Sequence, residues 1–337
     1  MNHYPSNVKE KLNSIILSMA EHHWLFSKNP GHDFTRQHLG KLSFYDTMRL
    51  IISMGKGSTN DEIMDYFDLD PDLIPSQSAF CQRRRQISLS AFEYLFSEFS
   101  SSFPSTTDKF KDHCILACDG CHVVYATNSD IIEDYNKPRL IDYKGYNHMH
   151  LNGFVDVISK AFLDVVIQPG QQPDEREALH SMLDHFTPDD PQKYIITADR
   201  GYESYDLLFH CELKNLGYVF RVKSPSSPKS ILSYYASELP DDLEEFDVTI
   251  KRFFTDKATN IMKSQSDVYR YINPSKNTPH FYELLRKNHS HLYFLQFRVV
   301  KIKTAGISKT GNLFPPDPVQ FRHFYRKRSG RRKPEKE

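Results

Sequence analysis

The chain has 337 residues and a mass of 39.4 kDa, enough to bury a core without staples and long enough for two or three domains. Its 39% hydrophobic and 26% charged residues exclude a disordered chain, and with a mean hydropathy of −0.57 it holds no apolar run near the roughly 18 residues of a membrane span. The net charge is zero but unevenly spread, since residues 101–200 carry −7 and residues 301–337 carry +8. That division suits carboxylates that gather metal ions in one place and cations that meet an anionic polymer in another, although solvated faces give the same tally. The first residues lack a basic segment followed by an apolar one, and five cysteines are an odd number, so the expectation is a reducing, cytoplasmic compartment with free thiols.

Residues 1–105 read as a helical domain. Apolar residues recur at helical spacing over Val8–Ala20 and Phe44–Met54, and Ser58-Thr59-Asn60-Asp61-Glu62 supplies a cap before Ile63–Phe67. Ser76–Arg85 and Leu89–Phe99 form a further predicted pair. The first of these carries Arg83, Arg84 and Arg85, cations that either contact DNA phosphates or form a solvated basic turn.

From about residue 113 the period becomes that of strands. His113–Cys118 is an apolar run ending in Asp119, and His122–Ala126, His148–Val157 and Ala161–Ile167 follow as strands. Pro173-Asp174-Glu175 opens a helix reaching about Phe186, and Lys193–Ala198 is a second apolar strand ending in Asp199. A helix over Tyr205–Leu216 closes at Gly217, before a strand over Tyr218–Val222. This order predicts an α/β domain over residues 106–304 with a mixed central sheet. Beyond Ser224-Pro-Ser-Ser-Pro228, the alternation of polar and aromatic residues to about Phe297 predicts an inserted β-rich segment over 224–297.

Asp119 and Asp199 stand out by position. A carboxylate at the C-terminal end of a buried strand meets solvent where the sheet opens, and two such strands side by side aim both acids at one point. The arrangement suits Mg²⁺ or Mn²⁺, hard cations held by carboxylates, water and phosphate oxygens. Two such ions assist in-line displacement at phosphorus. Simple strand-end turns are the competing reading of the same two residues.

Cys118-Asp119-Gly120 and Ala198-Asp199-Arg200-Gly201-Tyr202, with the acidic helix start Asp174-Glu175-Arg176 between them, resemble the DDE transposases of bacterial insertion sequences. Within that family the chain looks like the insertion-sequence-four group, marked by a Tyr-x-x-Arg-x-x-x-Glu-x-x-x-x-x-x-Lys signature. Ser78-Ala79-Phe80 and the arginine run resemble its N-terminal helical DNA-binding region, and the likeness spans roughly residues 35–300. The resemblance implies an RNase H-like mixed sheet preceded by a helical DNA-binding domain, with Asp119 and Asp199 as catalytic, metal-holding acids. It also implies Tyr202 near the phosphate path, Tyr325 and Arg328 on DNA, transposon ends and target DNA as partners, a possible homodimer on DNA, and a nucleoid-associated location.

The signature breaks at its third acid. Tyr325 and Arg328 fall in register, but Arg332 stands where the family has Glu, and the signature Lys would lie beyond the last residue. Glu335 and Glu337 lack the spacing. Residues 305–337 are Pro-rich, Gly-rich and basic; a frameshift or truncation after about Thr304 and a divergent but complete tail both account for them. Cys118-x-x-Cys121-His122 spells a haem-attachment pattern, but on a strand Cys121 points away from Cys114, Cys118 and His122. Three readings follow: a transposase that cleaves and transfers DNA strands, a DNA-binding relic of one, and a thiol or haem protein.

Overall fold

In the computed structural model, which describes residues 4–35, 42–103, 110, 112–137, 145–273, 278–302 and 321–325, the chain divides into two compact units, Met1–Pro104 and Ser105–Glu337. The first is helical: α1 (Tyr4–Glu21), α2 (Phe44–Ser53), α3 (Thr59–Tyr66), α4 (Gln77–Gln86) and α5 (Leu89–Ser101). Local chemistry sets these helix starts. Ser43 with Asp46 and Ser58 with Asp61 form reciprocal capping boxes, each satisfying two otherwise orphaned amides, and the Ser76 side chain accepts from the Ala79 amide. Ile16, Met19, Phe44, Met48, Ala91 and Leu95 interlock in one core, while Leu50, Ile63 and Phe80 form a second.

The second unit is built on β1 (Cys114–Tyr125), β2 (Tyr135–Asn136), β3 (Tyr146–Asp156), β4 (Phe162–Pro169), β5 (Tyr194–Ala198), β6 (Gly217–Arg221), β7 (Phe246–Thr255), β8 (Tyr269–Tyr271), β9 (Leu292–Ile302) and β10 (Phe321–Tyr325). They make one mixed ten-stranded sheet in the order β2-β3-β1-β5-β6-β10-β9-β7-β8, with β4 also on β3. At its heart β4, β3 and β1 are antiparallel, and β5 and β6 run parallel to β1. Helices α6 (Glu175–His185) and α7 (Tyr205–Leu213) are the crossovers before and after β5. Leu179, Met182 and Leu183 of α6 and Leu207 and Leu208 of α7 pack with Leu116, Phe154 and Ile196 of the sheet in a fully buried core.

Several expectations are corrected. β1 does not stop at Asp119 but runs on to Tyr125, because its pairing with β3 continues through Tyr125 and Asn147. Only its pairing with β5 ends at Cys118. α7 closes at Asn215, which takes the left-handed conformation (φ 57°), while Gly217 begins β6. The 224–297 segment is not purely β-rich: it also holds α8 (Asn260–Ser264) and α9 (Pro279–Lys287), and its Phe254, Phe281 and Phe297 join the main core. The basic tail supplies β10, between β6 and β9.

Candidate active site

The parallel register of β1 and β5 ends with Cys118 opposite Ala198, so Asp119 and Asp199 are the next residue on each of two adjacent strands. Parallel neighbours lie about 4.8 Å apart, which brings the two acids to one end of the sheet. Both are exposed. Asp199 Oδ1 accepts from the Gly201 amide at 2.6 Å and caps a short 3-10 turn, Arg200–Tyr202. That turn is anchored from below. Tyr202 is fully buried, and the Cys118 thiol donates to its hydroxyl at 3.5 Å. Glu203, also buried, accepts from the Lys223 amide at 3.0 Å and from the Ile231 amide.

A third carboxylate lies with them. Asp174 caps α6 by accepting from the Arg176 and Glu177 amides, which sets Glu175 as the helix's first residue. Glu175 reaches over two glycines: a Cβ on Gly120 would come within 2.9 Å of Glu175 Oε1, and a Cβ on Gly201 within 3.4 Å of Oε2 and 2.9 Å of Asp199 Oδ1. Burial first, and the nearby Asp119 and Glu175 charges after it, push the Cys118 thiol up to about 12. The same burial raises the Tyr202 hydroxyl, with Cys118, Glu175 and Asp119 adding to it. Both groups therefore stay protonated beneath the acids.

The wall opposite Glu175 comes from β3. His150 Nε2 lies 3.2 Å from Glu175 Oε1 without hydrogen-bond alignment, and Asn152 presents its side-chain oxygen to the same space. From Glu175 a cleft of about 690 Å³ passes Gly201 and runs to His180, Asp206 and His280. His180, His210 and His280 stack there, with interplanar angles of 10–14°. Burial above all lowers His180 to about 4 and His210 to about 2.

The remaining expected site residues separate. Tyr202 has no exposed surface, which corrects the expectation of a DNA contact there. Cys118 is buried and Cys121 exposed, so the haem-type pattern is splayed across one strand and builds no site. Of the arginine run, Arg83 donates to Gln86 and lies over the Phe34 ring, Arg84 lies over Phe80, and both Arg84 and Arg85 are exposed. Tyr325 is in β10, while Arg328, Arg332, Glu335 and Glu337 lie outside the described residues. Sequence reasoning missed the convergence of Glu175, His150 and Asn152. The available signal was the alternation His148-x-His150-x-Asn152 on a strand opposite Gly120.

A family model described as a transposase DDE domain matches residues 110–330, about two-thirds of the chain. Among solved structures, a cryo-electron microscopy structure of a piggyBac transposase synaptic complex with hairpin DNA aligns with a TM-score of 0.37 and 10% identity. The alignment covers 87% of this chain and 59% of that one. No curated protein matches.

Proposed function

The chain belongs to the transposase DDE domain family, and from that membership we propose that it performs metal-dependent DNA strand cleavage by water, followed by strand transfer from the freed 3′ hydroxyl. The observation that carries this reading is the β1–β5 register, which sets Asp119 and Asp199 one residue beyond the last parallel pair. The sheet order, three antiparallel strands followed by two strands parallel to β1, supports the RNase H-like reading.

The residues fit a divalent cation. Exposed carboxylates are hard oxygen donors, and an anionic backbone brought to them needs a cation between. Asp119 and Asp199 would hold Mg²⁺ or Mn²⁺, which polarises a phosphoryl oxygen and lowers the pKa of bound water. The protein's own part is positional. The Cys118–Tyr202 pair and Glu203 hold the two acids at the sheet end, and glycine at 120 and 201 lets the Glu175 carboxylate approach both strands. DNA, as element ends and target, is the partner we assign, with two copies assembling on it. The helical unit, through the exposed Arg84 and Arg85, supplies sequence-independent phosphate contacts.

The test is a nicking assay with Mg²⁺ and with Mn²⁺ on DNA carrying the element's ends, alongside a binding assay on the same DNA. Cleavage that Asp199→Ala removes, with DNA affinity kept, is the expected result. Binding without cleavage in the unsubstituted chain would instead establish the relic, the reading favoured by Arg332 at the signature's Glu position.

A further inference from the structure

Gly120 sits in the middle of β1, paired with Asn152 of β3, and its missing side chain leaves a hollow that three polar groups enter. A Cβ there would collide with His150 Nε2 and lie 2.9 Å from Glu175 Oε1 and 3.0 Å from Asn152 Oδ1. His150 is 3% exposed and Asn152 fully buried, yet His150 Nε2 and Asn152 Oδ1 each lack a hydrogen-bond partner. A buried polar atom without a partner costs about 1–3 kcal/mol, and two facing one hollow mark a place where a ligand completes them.

Their orientation is fixed by backbone polarity. Gln168 donates to the Asp174 carbonyl and accepts from the Asp174 amide, so its Oε1 must face back toward β3. Asn152 therefore donates its amide to Gln168 Oε1 at 3.2 Å, and to the Val166 carbonyl at 3.3 Å, which turns its oxygen toward Gly120. His150 places its other nitrogen 3.5 Å from His122 Nδ1, leaving Nε2 aimed at the hollow. The same Gln168 bridge ties β4 to the start of α6 and so sets Glu175 against this wall.

We propose that Glu175, His150 and Asn152 form a divalent-cation subsite over Gly120, adjoining Asp119 and Asp199, so that the site's third carboxylate comes from α6 rather than from the broken C-terminal signature. This rests on the reading of Asp119 and Asp199 as metal-holding acids. The donor set is two oxygens and one imidazole. The 3.2 Å between His150 Nε2 and Glu175 Oε1 is close to the separation of two neighbouring ligands on an octahedral ion, whose bonds of about 2.1–2.2 Å give an edge of about 3.0–3.1 Å. An imidazole donor favours Mn²⁺ over Mg²⁺ as the occupant.

The test uses the full chain and Mn²⁺ alone, with calorimetry for affinity and pulsed electron paramagnetic resonance for nitrogen coupling to the ion. Glu175→Gln should weaken Mn²⁺ binding about 10–100-fold, and Glu177→Gln, its exposed neighbour, should leave it unchanged. Bound Mn²⁺ should couple to an imidazole nitrogen, and His150→Gln should abolish that coupling while circular dichroism stays the same. A Glu175→Gln isotherm matching the unsubstituted chain, with Asp199→Asn still weakening binding, would overturn the subsite and leave the Asp119–Asp199 site standing. An unaltered isotherm in Asp119→Asn and Asp199→Asn would overturn the underlying reading instead. A nitrogen coupling that persists in His150→Gln would also count against the subsite.

Discussion

At one end of the cleft beside α6, His180, His210 and His280 stack against one another, and at the other His150 and Asn152 face the hollow over Gly120. The first group is satisfied from within. Asp206 accepts from His280 Nδ1 at 2.6 Å and lies 3.7 Å from His180, Asp184 lies 3.2 Å from His210, and the Nδ1 atoms of His180 and His210 are 2.8 Å apart. The three histidines each offer a nitrogen within 4.8 Å of the others, but near-parallel rings hold their lone pairs in separate planes, which no single ion meets. In the second group His150 Nε2 and Asn152 Oδ1 are buried without a hydrogen bond, and the nearest charge to His150 is Glu175 Oε1 at 3.2 Å. Similar side chains thus stabilise the fold where their partners are internal, and await a ligand where they are not.

The sharpest way to break this contrast is to remove the partner that the histidine end depends on. Asp206 is buried and also accepts from the amides of His280 and Phe281, supplying the start of α9 with the anion that its own cap residue does not. Asp206→Ala should cost about 3–5 kcal/mol, since it strips buried donors of their acceptor. Calorimetric melting of the larger unit should fall by roughly 6–20 °C, while Mn²⁺ affinity stays within about twofold. A large loss of Mn²⁺ binding without a fall in melting temperature would reverse the assignment of the two ends.

A second difference is the pH response of the stack. His180 and His210 titrate below the ordinary histidine value of 6.5, at about 4 and about 2, because burial disfavours the charged ring. His280 adds to this in both, and His180 and Lys214 add to it at His210; Asp206, Asp184 and Asp174 oppose it at His180. The folded state then binds fewer protons than the unfolded chain between pH 6.5 and 4, so stability rises with pH across that window. It should be full above about 6.5 and decline by on the order of 3 kcal/mol for each of the two rings as pH falls to 4. Urea midpoints from pH 7.5 to 4.5 measure this, and His180→Gln should flatten the profile. A flat profile in the unsubstituted chain would contradict a stack held neutral by burial.

Much of this was legible in the sequence, for reasons local to particular residues. Ser58 marks a helix start because a cap acts within three residues. Asp119 and Asp199 stand out because an apolar run precedes each. Glu175 reads only as a helix start, since its companions lie some 25 residues earlier and meet it through the β1–β3 register and the Gln168 bridge. Burial of Tyr202 is equally silent in sequence: a tyrosine after Asp-x-Gly faces the core or a phosphate according to the turn, and here Cys118 receives it. The role of β10 is hidden because nothing within 321–325 declares that β6 and β9 leave a place between them.

The void over Gly120 is sharpened by filling it. Gly120→Ala sets a methyl group where His150 Nε2, Glu175 Oε1 and Asn152 Oδ1 converge. All three are side-chain ends, so the strand can persist while the groups part. Mn²⁺ affinity should fall about 10–100-fold, the range for a disturbed ligand shell, and Gly31→Ala, whose Cβ would meet nothing within 4 Å, is the matched control. Equal isotherms for the two variants would mean that the hollow takes no ion.

The smallest expected effect carries the same contrast into the helical unit. Arg83 and Arg84 are engaged with Gln86 and the rings of Phe34 and Phe80, and burial lowers the Arg83 guanidinium. Arg85 is exposed. A cation already seated on an aromatic face works mainly for the fold, whereas a solvated one is ready to displace a counterion from DNA. Arg85→Ala should therefore lower the slope of log K against log salt by about one, with no change in melting temperature. Arg83→Ala should do the reverse, keeping the slope within a few tenths while destabilising the helical unit by on the order of 1 kcal/mol. Filter binding on a duplex from 50 to 200 mM salt, beside a thermal melt of each variant, separates the two. If both substitutions shift the slope equally and neither shifts the melt, the arginine run acts as one undivided phosphate-binding face, and engagement inside the fold does not decide which of its cations reaches DNA.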